Sequence, residues 1–232
     1  MLYPYYFDPT YVLVLIGVVL SLMASAMVKS TFNKYSHVRS MSGMTGAEVA
    51  QRILHSSGIY DVQIQRVSGN LTDHYDPRNK VLRLSDSVYG QSSVAAIGVA
   101  AHECGHAIQH DRSYVPLKVR GALVPVVNFG SAISWPLILI GLVLAQSQTL
   151  VYLGIFLFSF AVLFQLVTLP VEFNASKRAI AKLGETGILN GEELSHSKKV
   201  LNAAALTYVA AAAASILQLL RLIILFGGRD RD

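Results

Sequence analysis

Ser92-Ser93-Val94-Ala95-Ala96-Ile97-Gly98-Val99-Ala100-Ala101-His102-Glu103-Cys104-Gly105-His106-Ala107-Ile108-Gln109-His110 is the stretch on which the reading of this chain turns. Its first half is apolar and predicts a buried helix end, which would fix ligand geometry and limit access of water. The pentapeptide His102-Glu103-Cys104-Gly105-His106 follows. Residues i and i+4 share one face of an α-helix, so both imidazoles can reach a single zinc ion. Glu103 lies about 100° round from His102, close enough to act on a water without being a ligand. That is the H-E-x-x-H division of labour of zinc peptidases. Cys104 lies about 200° from His102, away from the metal, and is expected to pack in the core.

The rest of the chain places this helix at a membrane. Of 232 residues, 53% are hydrophobic and only 14% charged, well short of a soluble domain's share of charge. The net charge of +5 does not indicate nucleic acid, because the basic residues are spread out and flank apolar segments. The single cysteine excludes an internal disulfide and fits a reducing compartment. Four segments are long enough to span a bilayer: Tyr11 to Val28, Gly121 to Leu144, Thr149 to Val171 and Ala204 to Phe226. Tyr3, Tyr5, Tyr6 and Phe7 before the first form a candidate interfacial belt. No basic residue precedes that segment, whereas Lys29, Lys34 and Arg39 follow it. It therefore reads as an uncleaved anchor with its N-terminus outside, rather than a signal peptide. Arg221 lies near a span end, from which it can snorkel to the interface.

Five regions follow: 1–28, the N-terminal segment and first span; 29–120, a polar region with the motif helix; 121–171, the second and third spans; 172–203, a polar helical region; and 204–232, the fourth span and tail. The two polar regions hold 16 of the 19 lysines and arginines, and the Ala145 to Gln148 connection holds none. The positive-inside rule puts both polar regions in the cytoplasm, although the same topology leaves Arg229 and Arg231 outside. Within 29–120, Thr45 and Glu48 make a capping box for a short helix running to about Leu54. Val62 and Ile64 alternate with polar residues as in a strand. Asn70 to Tyr75, the turn Asp76-Pro77-Arg78-Asn79 and Lys80 to Ser85 read as a hairpin. The run Ala210 to Ala214 suits close helix packing.

A zinc hydrolase takes three protein ligands and leaves a fourth position for water. Glu172, at the end of the third span, is the candidate third ligand. The alternative is a carboxylate capping a helix that begins there. His110 lies about 12 Å along the axis from His102, too far to share its ion, so a place beside the ligands or at the interface is expected.

His102 to His110, together with Leu169-Pro170-Val171-Glu172-Phe173-Asn174-Ala175-Ser176, resembles the YugP-type family of bacterial membrane zinc metallopeptidases. His74-Tyr75-Asp76-Pro77 and Ala203-Ala204-Ala205-Leu206-Thr207-Tyr208-Val209-Ala210 extend the likeness over nearly the whole chain. More distantly the chain is similar to the HtpX and Ste24 membrane proteases. The resemblance implies a gluzincin arrangement, with one zinc on His102, His106 and Glu172 and with Glu103 as general base. HtpX-like and Ste24-like proteins carry an aspartate four residues after the ligand glutamate, where this chain has Ser176. A serine supplies no negative charge to a ligand imidazole, so the support of this site must differ.

The expected fold is mainly α: a multi-pass helical membrane protein with a cytoplasmic gluzincin-like region containing a small hairpin or sheet. The expected activity is hydrolysis of extended or misfolded membrane-associated polypeptides in the bacterial cell membrane, by zinc-activated water with Glu103 moving the proton. His74, Tyr75, Arg178 and Tyr208 are candidate oxyanion donors. By analogy with other zinc peptidases, Val81 to Ser85 is expected to be an edge strand that pairs with substrate backbone. Two rivals are a membrane scaffold with a structural or inactive zinc site, and a small four-helix transporter. An intact Glu103 argues against the first, and only Gln165 and Arg221 hint at the second.

Overall fold

The structure is a computed structural model that describes residues 8–144 and 146–227. Tyr3, Tyr5, Tyr6, Phe7, Ala145, Arg229 and Arg231 therefore lie outside the described residues. The elements are α1 (Tyr11–Ser36), α2 (Gly46–Ser56), β1 (Gln63–Val67), β2 (His74–Asp76), β3 (Val81–Ser85), α3 (Val94–Asp111), α4 (Val115–Val143), α5 (Gln148–Glu185) and α6 (Gly191–Phe226). α1, α4, α5 and α6 are each long and apolar enough to cross a membrane. The chain forms two compact units.

The first unit takes residues up to Met23, Val119–Val167 and residues from Tyr208 onward. Its helices approach through small residues, as helices in lipid do. A Cβ on Gly17 would come within 3.1 Å of Ala214, inside the predicted alanine run. Ser134 Oγ donates to Gly154 O at 2.9 Å where α4 meets α5. Arg221 pairs with Asp8 at 3.1 Å and lies 4.3 Å from the Tyr11 ring centre, so it has a protein partner.

The second unit takes Ala24–Lys118 and Thr168–Thr207 and carries the chemistry. Thr45 caps α2 with the full reciprocal box to Glu48. Val49, Ile53 and Leu54 on α2, Leu82 and Leu84 on β3, and Ile97, Ala100 and Ala101 on α3 share one core with Leu183 and Leu189. The hairpin forms where the Pro turn predicts it: β2 pairs antiparallel to β3, with Tyr75 opposite Leu82. Asp76 closes the turn, accepting from Arg78 N at 3.0 Å and Asn79 Nδ2 at 2.8 Å.

Two expectations need correction. The sheet order is β1-β3-β2, with β1 parallel to β3, so β3 is the central strand and has no free edge to offer a substrate. Its apolar side chains explain this, since four of its five residues are buried. Nor does a helix begin at Glu172. α5 continues through Pro170 to Glu185, and α6 already starts at Gly191. Proline removes one backbone donor, but the helix closes over it without a break. A carboxylate deep inside a helix cannot cap its N-terminus, so that alternative for Glu172 falls.

Candidate metal centre

α3 supplies two of the convergent side chains. It starts at Ser93, whose Oγ accepts from Ala96 N at 3.2 Å, and its turns are buried from Val94 onward. The local sequence then dictates what lies against it. A Cβ on Gly105 would stand 2.5 Å from Ala175 O, so only glycine lets the α5 backbone come this close. That contact sets Glu172 and Ser176, one helical turn apart on α5, over the histidines.

His102, His106 and Glu172 bring one ligand atom each to within 4.8 Å of one another. Glu172 Oε2 lies 3.2 Å from His102 Nε2 and 3.5 Å from His106 Nε2. Ligands at 2.0–2.1 Å from a tetrahedral zinc stand about 3.3 Å apart, so these spacings and this N,N,O donor set fit the ion. The two imidazole rings stand nearly perpendicular, 86° apart, with centres 4.7 Å apart.

The far side of each ring is held separately. His102 Nδ1 meets Ser176 Oγ at 3.1 Å. The serine that replaces the acid of the more distant proteases is thus itself the partner of the first histidine. His106 Nδ1 meets Gln109 Oε1 at 3.1 Å. Gln109 is fully buried, and its Nε2 donates to Val171 O at 2.8 Å and Asn174 Oδ1 at 3.0 Å. Arg178 Nε donates to the same Asn174 oxygen at 2.7 Å and stacks over Tyr114.

Burial would depress the His106 pKa, but the Glu172 hydrogen bond and the charges of Glu103 and Glu172 raise it above the ordinary imidazole value. The pocket therefore favours a cation at Nε2, whether a proton or a metal. Glu103 is 8% exposed and enters none of the hydrogen bonds that orient the histidines. Cys104 faces away, its Sγ 3.5 Å from Ala50 O, and burial pushes its thiol pKa well up.

The remaining candidates separate. His110 lies outside the ligand trio and meets the Tyr75 hydroxyl at 2.9 Å. The Tyr75 pKa is pushed up to about 12 by burial and by the charges of Asp61, Asp76 and Asp111. His74 is exposed on its own turn, 2.9 Å from Thr72 O. Arg178 meets Asn174, the residue that Gln109 also holds, and Tyr208 lies on α6. The sequence reading missed Gln109 and Asn174. The available signal was one amide three residues after His106 and another two after Glu172.

The family described as "Putative neutral zinc metallopeptidase" matches residues 10–227. The chain is 53% identical over 214 residues to the "Putative membrane protease YugP" of Bacillus subtilis (strain 168), covering 92% of this chain and 95% of that one. No solved structure matches. The chain belongs to this zinc metallopeptidase family and is a multi-pass membrane protein.

Proposed function

We propose that this family member is a membrane-bound zinc endopeptidase of the HExxH…E type, with zinc on His102, His106 and Glu172 and with Glu103 as general base. The observation that carries it is the convergence of Nε2, Nε2 and a carboxylate oxygen within 4.8 Å. Zinc bound there supplies Lewis acidity to the scissile carbonyl and to a water molecule. The chain's own residues do the rest. Ser176 and Gln109 hold the imidazoles with Nε2 forward, and Glu103, beside His102 and free of their hydrogen bonds, takes the water's proton and passes it to the leaving amine. Tyr75 is an oxyanion donor in this reading, because its hydroxyl keeps its proton at any physiological pH and is held beside His110.

The substrate class is extended or misfolded segments of membrane-associated polypeptides. Backbone pairing falls to β2, an outer strand, rather than to the buried β3. The site faces the cytoplasm of a bacterial cell membrane, supported by the 16 of 19 basic residues in the two polar regions. Purified in detergent, the wild type should hold one zinc and cleave unfolded polypeptides. Glu103→Gln should keep the zinc and lose cleavage by a factor of at least about 10². Normal cleavage by that variant sinks the mechanism, and full zinc occupancy in Glu172→Ala removes Glu172 from the ligand set. Stoichiometric zinc with no cleavage at all would return the protein to the scaffold reading. Strong labelling of a cysteine introduced beside Lys34 from outside intact cells would reverse the orientation.

A further inference from the structure

We infer that Gln109 is a positioning residue that locks His106 in the one tautomer able to bind metal through Nε2 and ties it to the helix carrying Glu172. The inference rests on the zinc site proposed above. A glutamine amide can be turned end for end, so its orientation has to come from its partners. Here the partners decide it. Val171 O is a backbone carbonyl and can only accept, so the atom 2.8 Å from it is the NH2 group. The second N–H of that group goes to Asn174 Oδ1 at 3.0 Å, and this oxygen is itself fixed as an acceptor by the Arg178 guanidinium. Both donors of Gln109 are then spent on α5.

What remains toward His106 is Oε1, an acceptor, 3.1 Å from Nδ1. Nδ1 must carry the proton, and Nε2 turns its lone pair toward the space shared with Glu172. Gln109 is fully buried, so no bulk water replaces any of these three bonds. Val171 directly precedes Glu172, so one carboxamide spans a ligand on α3 and the neighbour of a ligand on α5. Ser176 does not do this for His102, because its hydroxyl can donate or accept and imposes no tautomer.

The test is zinc affinity, measured by chelator competition on the full chain in detergent. Gln109→Leu, of similar volume, should bind zinc about 10- to 100-fold more weakly. Gln109→Glu keeps the acceptor toward His106 but loses both donors to α5, so its zinc affinity should fall between those of wild type and Gln109→Leu. A merely structural glutamine gives the opposite order, because a buried carboxylate facing two acceptors harms the fold more than leucine does. Gln109→Leu at wild-type affinity overturns the inference. Should that variant fail to fold, the wild type decides. In zinc-loaded protein with 15N-labelled histidine, the His106 Nδ1 proton should exchange slowly with solvent, and fast exchange overturns the inference. A wild type that takes up no zinc removes the proposed function and this assignment together, whereas the other adverse results remove the assignment alone.

Discussion

The two candidate ligands on α3 sit one turn apart, yet they are held in opposite ways. His102 leans on Ser176, a rotatable hydroxyl that serves equally as donor or acceptor. His106 leans on Gln109, whose role is dictated by two acceptors on α5. The same contrast recurs where α3 is crossed by its neighbours. At Gly98 the nearest atom to a built Cβ is the Ser197 hydroxyl, 2.4 Å away, and at Gly105 it is a backbone carbonyl, 2.5 Å away. The His102 half of the helix meets groups that can turn aside, whereas the His106 half meets groups that cannot. Rigidity at a metal site comes from partners whose hydrogen-bond role is not negotiable, rather than from the number of bonds.

The largest effect should come from Gly105→Ala. In an isolated helix this change favours folding by about 1 kcal/mol. Here the added methyl drives α5 away through a carbonyl that cannot move alone, at a cost of about 1–3 kcal/mol from overpacking. Because α5 carries Glu172 and Ser176, zinc affinity should fall together with the melting temperature. Gly98→Ala meets only a hydroxyl that makes no hydrogen bond among the described residues, so it should be much milder. Equal losses from the two substitutions, read by thermal melting and zinc titration, would break the comparison.

Next comes pH. The His106 pKa is raised in the folded chain, so its protonation stabilises the fold below the ordinary imidazole pKa of about 6.5. That contribution is lost as pH rises through the raised folded value. The melting temperature of zinc-stripped protein should therefore drop from pH 6 upward, while zinc-loaded protein, with Nε2 occupied by metal, should not follow it. Parallel curves for the two forms would mean that His106 is not the group concerned. Gln109→Leu should reduce the slope only in so far as it lets the ring turn away from Glu172.

Much of this arrangement was legible in the residues alone, and the reasons differ from part to part. His102, Glu103 and His106 could be placed on one helix because their spacing matches its period, and the four apolar runs because bilayer thickness sets their length. The hairpin was legible from Asp76 and Pro77. The position of β1 was not, because local turn chemistry says nothing about a parallel partner 18 residues downstream, such as Val81 for Gln63. A helix beginning at Glu172 was one reading of the residues, but α5 runs unbroken through Pro170 to Glu185. Gln109 stayed hidden for a different reason. Its role depends on Val171 and Asn174, which lie 62 and 65 residues away and on another helix.

The smallest effect should be at Ser176, and its sign separates two readings of the His102 side. Ser176→Ala removes a single neutral hydrogen bond, worth about 1 kcal/mol, and should weaken zinc binding about fivefold. That is less than the loss expected from Gln109→Leu, because the ring keeps its place against Glu172 and no fixed acceptor is left without its donor. Since Ser176 and Gln109 act on different rings and share no hydrogen-bond partner among the described residues, the double substitution should lose close to the sum of the two free energies. Ser176→Asp is the sharper case. A carboxylate at Nδ1 makes the imidazole more basic and should tighten zinc binding. Against this, the new charge sits one turn from Glu172 on the same face of α5, and like charges so placed repel. With zinc bound, the ion screens the pair and the basicity gain prevails; with zinc stripped, the repulsion stands alone. Ser176→Asp should therefore bind zinc more tightly than wild type and yet melt lower when stripped. A variant that binds zinc no better than Ser176→Ala would show that charge at this position has no purchase on His102.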